Sequence, residues 1–115
     1  MTARGETALW LVQRAAALFL AFAVLIHLAT ILYAVRHGLD AASLLARTRG
    51  NALFLAFYGA FATAAALHGG IGLRTVLAEW TRWHGRSLDL ATLLAVAALA
   101  IAGWRAALAL YGAAP

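Results

Sequence analysis

The sequence of 115 residues contains no cysteine, no lysine and a single proline. Without cysteine it can form no disulfide, thiolate nucleophile, iron–sulfur ligand or zinc–thiolate site, so histidine or oxygen must hold any metal. Charged residues make up only 11% of the chain, with nine arginines against four acidic residues. Because a soluble domain usually carries about a quarter charged residues, this composition excludes a globular enzyme with its own water-filled cleft.

The chain is instead rich in long apolar runs, with 65% hydrophobic residues and a mean hydropathy of +0.87. No charge occurs in residues 15–35, 50–73 or 90–104, and about 20 apolar residues cross the hydrocarbon core of a bilayer. The third run is shorter, but Arg105 can extend to the headgroups while the helix continues to Tyr111. We therefore predict an all-α integral membrane bundle that forms one domain over residues 1–115. Its three transmembrane helices are expected over about residues 10–36, 51–80 and 88–111.

The connector after the first span contains a helix start of its own. Asp40 precedes the segment 41–46, and aspartate commonly caps a helix by accepting a backbone N–H. We expect a short interfacial helix there. A cleaved signal peptide is a poor interpretation of the first span, since the run is longer than an apolar h-region and Arg36 and His37 follow it directly.

The arginines divide almost evenly between the two sides of the membrane. Five fall on the side of the N-terminus and four on the other, which slightly favours a cytoplasmic N-terminus. On a soluble protein this basic excess would indicate nucleic acid. Arginines that flank apolar runs lie at lipid headgroups instead, so we predict a lipid bilayer and no nucleic acid as partner.

Two histidines, His27 and His68, lie inside apolar spans, where ionisable side chains are functional candidates by default. His68 belongs to an alanine- and glycine-rich segment, residues 64–72, whose small side chains let another helix or a flat cofactor approach the backbone. Glu79 follows eleven residues later, about 20° round the helix and about 16 Å along it, so one face carries both. From these residues alone, His68 forms either an interhelical hydrogen bond or an axial haem ligand.

Two segments place these residues in a wider pattern. Gln13-Arg14 precedes the first span, and the segment HGGIGLR of residues 68–74 is followed by Glu79-Trp80. In order and spacing they resemble the cytochrome b membrane-anchor subunits of succinate dehydrogenase and fumarate reductase, and the resemblance covers all three spans. In that family the second helix carries a histidine, a glycine–apolar–arginine group and then an acidic residue.

The resemblance implies that His68 is an axial ligand of haem b and that a companion anchor subunit supplies the other ligand. Arg74 would meet a haem propionate or a lipid phosphate. Some members of the wider family hold two haems, so His27 either serves a second haem or is a buried histidine bonded to a neighbouring helix, a tyrosine or a threonine. Counting inward from Arg14 and Glu79 places His27 and His68 at similar depths, about 20 Å and about 16 Å.

The resemblance also implies that ubiquinone or menaquinone reacts near Arg14, Glu79 and Trp80, all expected on one cytoplasmic edge. Arg14 can stabilise developing negative charge, the Trp80 indole N–H can donate to a carbonyl, and Glu79 can relay protons from water. Ordinary interface charges and an aromatic belt are the alternative for these residues. Two positions depart from the family pattern: Trp10 stands where some members have a serine that contacts the quinone, and Glu79 stands where aspartate is common.

We therefore expect a haem b-binding anchor and electron-transfer subunit of a succinate:quinone or quinol:fumarate oxidoreductase, with no catalysis by the chain alone. Its partners would be a companion anchor, an iron–sulfur subunit and a flavoprotein subunit, in a bacterial-type cytoplasmic membrane or an equivalent energy-transducing membrane. The alternatives are the cytochrome b anchor of another quinone-linked dehydrogenase and a cofactor-free structural, assembly or transporter protein. Haem absorbance separates the cofactor-free alternative from the others.

Overall fold

The computed structural model describes residues 2–113, which form four helices joined by short turns and contain no strand. The helices are α1 (Ala3–His37), α2 (Ala41–Thr48), α3 (Ala52–Trp80) and α4 (Arg86–Tyr111). Of these, α1, α3 and α4 are long and apolar enough to cross a membrane. The predicted class, an all-α bundle with three spans and one short helix in the first connector, is therefore confirmed.

Side-chain caps fix where two of the helices begin. The first helix starts at Ala3, earlier than predicted, because the Thr2 hydroxyl accepts a hydrogen bond from the Gly5 N–H at 3.1 Å. This bond satisfies a backbone donor that helix geometry leaves without a partner. The Asp40 carboxylate caps α2 as predicted, since it accepts from the Ser43 N–H at 3.1 Å.

The three long helices lie side by side with α3 in the middle. It packs against both α4 and α1, whereas α1 and α4 hardly touch. We call the end that holds the N-termini of α1 and α4 and the C-terminus of α3 the Trp80 end. At the opposite end, the Asn51 end, the Gly50 N–H donates to the Tyr111 carbonyl at 2.9 Å and links the start of α3 to the end of α4.

The distribution of apolar side chains in the bundle is the reverse of that in a soluble domain, with small side chains inside and large ones outside. Its buried apolar side chains are mostly alanines, joined by Ile71 and Leu88. Large apolar side chains point outward on all the long helices, such as Leu18, Leu53 and Leu93 at 65%, 80% and 64% exposure. A surface of this kind suits lipid or the helices of another membrane subunit.

Small residues bring α3 and α4 into close contact. A Cβ on Gly59 would lie 2.2 Å from the Trp104 ring, and one on Gly70 would lie 2.3 Å from Val96, so neither position accepts a side chain without a shift. Trp104 also donates its indole N–H to the Thr63 hydroxyl at 2.8 Å. Close packing of this type is how membrane helices associate without a hydrophobic driving force.

Candidate functional site

His68 lies in the half of α3 nearer the Trp80 end, and its ring makes no hydrogen bond within residues 2–113. The ring is half-buried. Its Nδ1 is buried without a partner, whereas Nε2 is not buried. A polar atom buried in this way costs about 1–3 kcal/mol. The interhelical hydrogen bond that was one alternative is thus not formed by the ring within residues 2–113, and Nε2 is the ring nitrogen open to a group from outside the chain.

The glycines that follow His68 differ in what surrounds them. Whereas α4 closes off Gly70, a Cβ on Gly69 would meet no atom within 4 Å. One on Gly72 would lie 3.5 Å from the Gln13 amide nitrogen, which is an ordinary contact. The absence of side-chain bulk at Gly69 leaves α3 open to a flat ring beside the histidine. The residues present therefore fit a haem held at His68.

The two membrane histidines lie at different levels of the bundle. His27 is hydrogen-bonded to Tyr58, which precedes His68 by ten residues, about 15 Å along α3. The expected similarity of depth is wrong, because α1 begins at Ala3 and brings Gln13 level with His68. There the Gln13 amide nitrogen donates to the His68 carbonyl at 3.2 Å. His27 and His68 are thus too far apart to bind one iron.

His68 is not part of a metal-binding cluster in the described part of the chain. This part of the chain contains no cluster of three or more histidine, cysteine, aspartate or glutamate side chains that could hold a metal ion.

His27 forms part of a contact between α1 and α3. Its Nδ1 lies 2.9 Å from the Tyr58 hydroxyl, which also lies 3.0 Å from Thr30 Oγ1. The His27 ring meets the Tyr58 and Phe61 rings edge-on, with centroids 5.6 Å and 5.5 Å away. This geometry matches the alternative in which His27 bonds to a neighbouring helix.

Two apolar clefts open beside His27 on the side of the Asn51 end. Their volumes are about 590 Å³ and about 640 Å³, and both are lined by His27, Tyr58 and Phe54 together with Leu44 and Thr48 of α2. Because Nδ1 bonds to Tyr58, Nε2 is left for a ligand. Metal-binding histidines commonly form such a hydrogen bond through the ring nitrogen that does not hold the metal. A second haem at His27 therefore stays a prediction.

Arg74 joins the three long helices at the Trp80 end. Its Nε donates to Asp89 on α4 at 3.0 Å and its Nη2 to Glu6 on α1 at 3.2 Å. The Arg74 side chain is only 14% exposed, against 56% for Glu6 and 30% for Asp89. A propionate or lipid phosphate would have to share this guanidinium with two carboxylates, so the predicted role of Arg74 toward haem stays a prediction.

The three residues expected at the quinone do not lie together. Arg14 lies level with His68, and its guanidinium is 5.1 Å from the centroid of the Trp10 ring. Glu79 and Trp80 are about 16 Å further along α3, where both are exposed, Trp80 at 84%. All three side chains are exposed, but Arg14 lies at the level of His68 and the other two lie at the end of α3, so the expected edge is divided. Quinone binding by these residues stays a prediction.

Sequence reasoning assigned no role to several residues that make these contacts. The sequence could have indicated the contacts of Glu6 and Asp89, because both are acidic residues close to the ends of apolar runs where Arg74 also lies. It could not have indicated the contact of Tyr58, since its partner His27 is 31 residues away on another helix. Gln13 was quoted only as part of the family pattern, and its contact depends on how α1 and α3 align.

Comparison with known proteins agrees with the architecture. No curated protein and no solved structure matches the chain. The sequence model of a protein family, the succinate dehydrogenase/fumarate reductase transmembrane subunit, matches residues 1–104. This match covers the three spans up to Trp104, including His27, His68 and the Arg74 contacts. The chain therefore belongs to the family of succinate dehydrogenase/fumarate reductase transmembrane subunits.

Proposed function

We propose that this membrane subunit binds haem b through His68 and takes part in electron transfer between an iron–sulfur subunit and a quinone. The observation that carries the proposal is the His68 ring, half-buried on α3 with neither nitrogen hydrogen-bonded in residues 2–113. A polar side chain left in this state at membrane depth is costly unless other groups satisfy its two nitrogens. When bound, haem b supplies a one-electron redox centre within the membrane.

His68 would bind the iron through Nε2, because that nitrogen is not buried while Nδ1 lies inside the protein. The open side of Gly69 leaves room beside it. A companion anchor subunit supplies the second axial ligand in this proposal, since His27 lies too far along the bundle to do so. The outward-facing apolar side chains provide the surface on which such a companion packs.

The quinone, ubiquinone or menaquinone, belongs in this proposal at the Trp80 end. Trp80 and Glu79 are exposed there, so the indole N–H can donate to a quinone carbonyl and the carboxylate can pass protons from water. Arg14 lies further into the bundle with its guanidinium directed back toward Trp10, where its charge would stabilise a reduced quinone.

The iron–sulfur and flavoprotein subunits would dock at the same end, which we place on the cytoplasmic side of a bacterial-type cytoplasmic membrane. The positive-inside tendency supports this orientation, since five of the nine arginines lie in the half of the bundle from His68 to the Trp80 end. They are Arg4, Arg14, Arg74, Arg82 and Arg86.

The proposal is tested on the complex purified through a tag on this chain. A dithionite-reduced minus oxidised spectrum, with pyridine haemochrome quantitation, should show b-type haem close to one per complex. The variant His68→Ala should lose this haem, while His84→Ala, which changes an exposed histidine in the turn before α4, should keep it.

Two results would overturn the proposal. A full complement of low-spin haem after His68→Ala would show that His68 is not the ligand. Absence of both haem and flavin from the wild-type sample would show that the chain is not a haem-binding part of such a complex and would favour a cofactor-free membrane protein.

A further inference from the structure

Gln13 approaches His68 from the facing helix. Its side-chain amide nitrogen donates to the His68 backbone carbonyl at 3.2 Å, and the contact is partly buried. A carbonyl oxygen only accepts, so the nitrogen of the amide and not its oxygen must face it. This bond fixes how the amide is turned. The Gln13 Oε1 atom is then left buried without a hydrogen-bond partner.

In residues 2–113, two buried side-chain polar atoms lack a partner, and they are Gln13 Oε1 and His68 Nδ1. They belong to two residues that already touch. They are also complementary, since an amide oxygen accepts and an imidazole Nδ1 donates when it carries the proton. More than nine in ten buried polar groups in proteins are satisfied, and the hydrocarbon core offers no water to do it.

We propose, on the basis of the haem-binding function above, that Gln13 is a positioning residue for His68. The two orphaned atoms are not bonded to each other in this structure; when haem is bound, the two side chains approach and Oε1 accepts a hydrogen bond from the His68 Nδ1–H. This bond holds the imidazole in the tautomer whose Nε2 lone pair is free, and Nε2 is the nitrogen that is not buried. Gln13 thus determines which imidazole nitrogen faces the iron. It also restrains the ring, because it bonds to both the backbone and the side chain of His68.

The bond also changes the electronic character of the ligand. An acceptor on the second imidazole nitrogen raises the basicity of the ligating nitrogen, which favours ferric over ferrous iron and lowers the midpoint potential. Removal of the acceptor should therefore raise the potential. A carboxylate in its place should leave the potential at or below that of the wild type.

The test compares Gln13→Leu and Gln13→Glu in the purified complex, with haem content and haem midpoint potential measured by redox titration. Leucine removes both the amide oxygen and the amide nitrogen, whereas glutamate keeps an acceptor oxygen at the same chain length. The matched control is Tyr58→Phe, which removes the hydrogen bond to the other membrane histidine. We expect Gln13→Leu to shift the ferric–ferrous equilibrium about tenfold toward ferrous iron, or 59 mV for a one-electron couple.

Glutamate at position 13 should retain haem with a potential at or below the wild-type value, and Tyr58→Phe should leave the potential unchanged. If leucine abolishes haem binding while glutamate retains it, the acceptor role also stands. Equal shifts in the two Gln13 variants, no shift in either, or loss of haem from both would overturn the inference. A wild-type complex without haem, or haem retained in His68→Ala, would instead overturn the proposed function itself.

Discussion

His27 and His68 are both half-buried histidines on long helices, yet the chain treats them differently. The His27 ring is bonded to Tyr58 and meets two aromatic rings edge-on. The His68 ring has no partner for either nitrogen in residues 2–113, although Gln13 holds its backbone. One nitrogen of the first histidine is bonded within the chain and neither nitrogen of the second is, and this difference is the basis of the proposal that His68 binds a group from outside the chain.

The neighbouring side chains of the two histidines also differ. Tyr58, Phe54 and Phe61 form a stacked and tilted aromatic cluster near His27. Around His68 the neighbours are small, and an ion-paired arginine lies six residues beyond it in α3. The Asn51 half is thus held by aromatic packing, and the Trp80 half by small-residue contacts and by the Arg74 ion pairs. The predictions below perturb each half and compare the effects.

The largest effect on stability is expected from Arg74→Met. Removal of the guanidinium leaves the Asp89 and Glu6 carboxylates unpaired at the meeting point of three helices. Loss of one partner from a mostly buried ion pair costs about 3 kcal/mol, measured as the free energy of unfolding in mixed micelles. Glu6→Gln, on the exposed partner, should cost no more than about 1 kcal/mol. Equal losses in the two variants would show that Arg74 is not the centre of this contact.

The neighbouring glycines of α3 provide a second comparison. Gly70→Ala would place a methyl group 2.3 Å from Val96, a β-branched residue that moves little, and overpacking of this kind costs about 1–3 kcal/mol. Gly69→Ala meets no atom within 4 Å, so the stability of the isolated chain should be unchanged. In the complex, Gly69→Ala should lower haem content if the open side of α3 receives the cofactor. Equal stabilities of the Gly70→Ala and Gly69→Ala variants would contradict the close packing of Gly70 against Val96.

A smaller effect is expected from His27→Ala. The variant loses the bond to Tyr58, and a net hydrogen bond of this kind contributes about 1 kcal/mol. Haem content should stay at the wild-type value, because the predicted ligand is His68. Haem content is measured by pyridine haemochrome quantitation. The control is Tyr58→Phe, which removes the hydrogen bond to His27 but keeps the His27 ring. A fall from two haems to one in His27→Ala would make His27 a ligand of a second haem.

These two histidines also show how far the sequence determines the site. Hydropathy correctly predicted three long apolar helices, because uncharged runs such as residues 50–73 leave the backbone no other structure in lipid than a helix. Hydropathy reports which residues lie in lipid and not where a helix begins, so the Thr2 cap and the seven further residues before the predicted start of α1 were missed. The level of α1 against α3 was wrong for the same reason.

Residue type and local spacing made His68 a candidate, since an ionisable side chain is unusual within a membrane helix. The role inferred for Gln13 could not be predicted in this way. It depends on the alignment of α1 with α3, which Glu6, Arg74 and the small residues set together and which no local pattern encodes. Contacts between distant parts of the chain are therefore where the structure adds most.

The smallest effect is expected at α2, which closes the clefts beside His27 and lies far from His68. The hydrogen bond from the Ser43 hydroxyl, followed by that from the Ser43 N–H, holds the pKa of the Asp40 carboxyl below its ordinary value. A depressed pKa contributes stability above the unfolded value of about 3.9, and the contribution is lost as pH falls through the folded pKa. Amide hydrogen exchange in α2 should therefore become less protected on acidification, while exchange in the α3 segment around His68 should not change with it.

Asp40→Asn keeps a capping oxygen without the charge, so its α2 protection should be independent of this titration. If acid loosened both segments together, the two halves of the bundle would not be separable, and the contrast between the histidines would have to be explained by the whole fold.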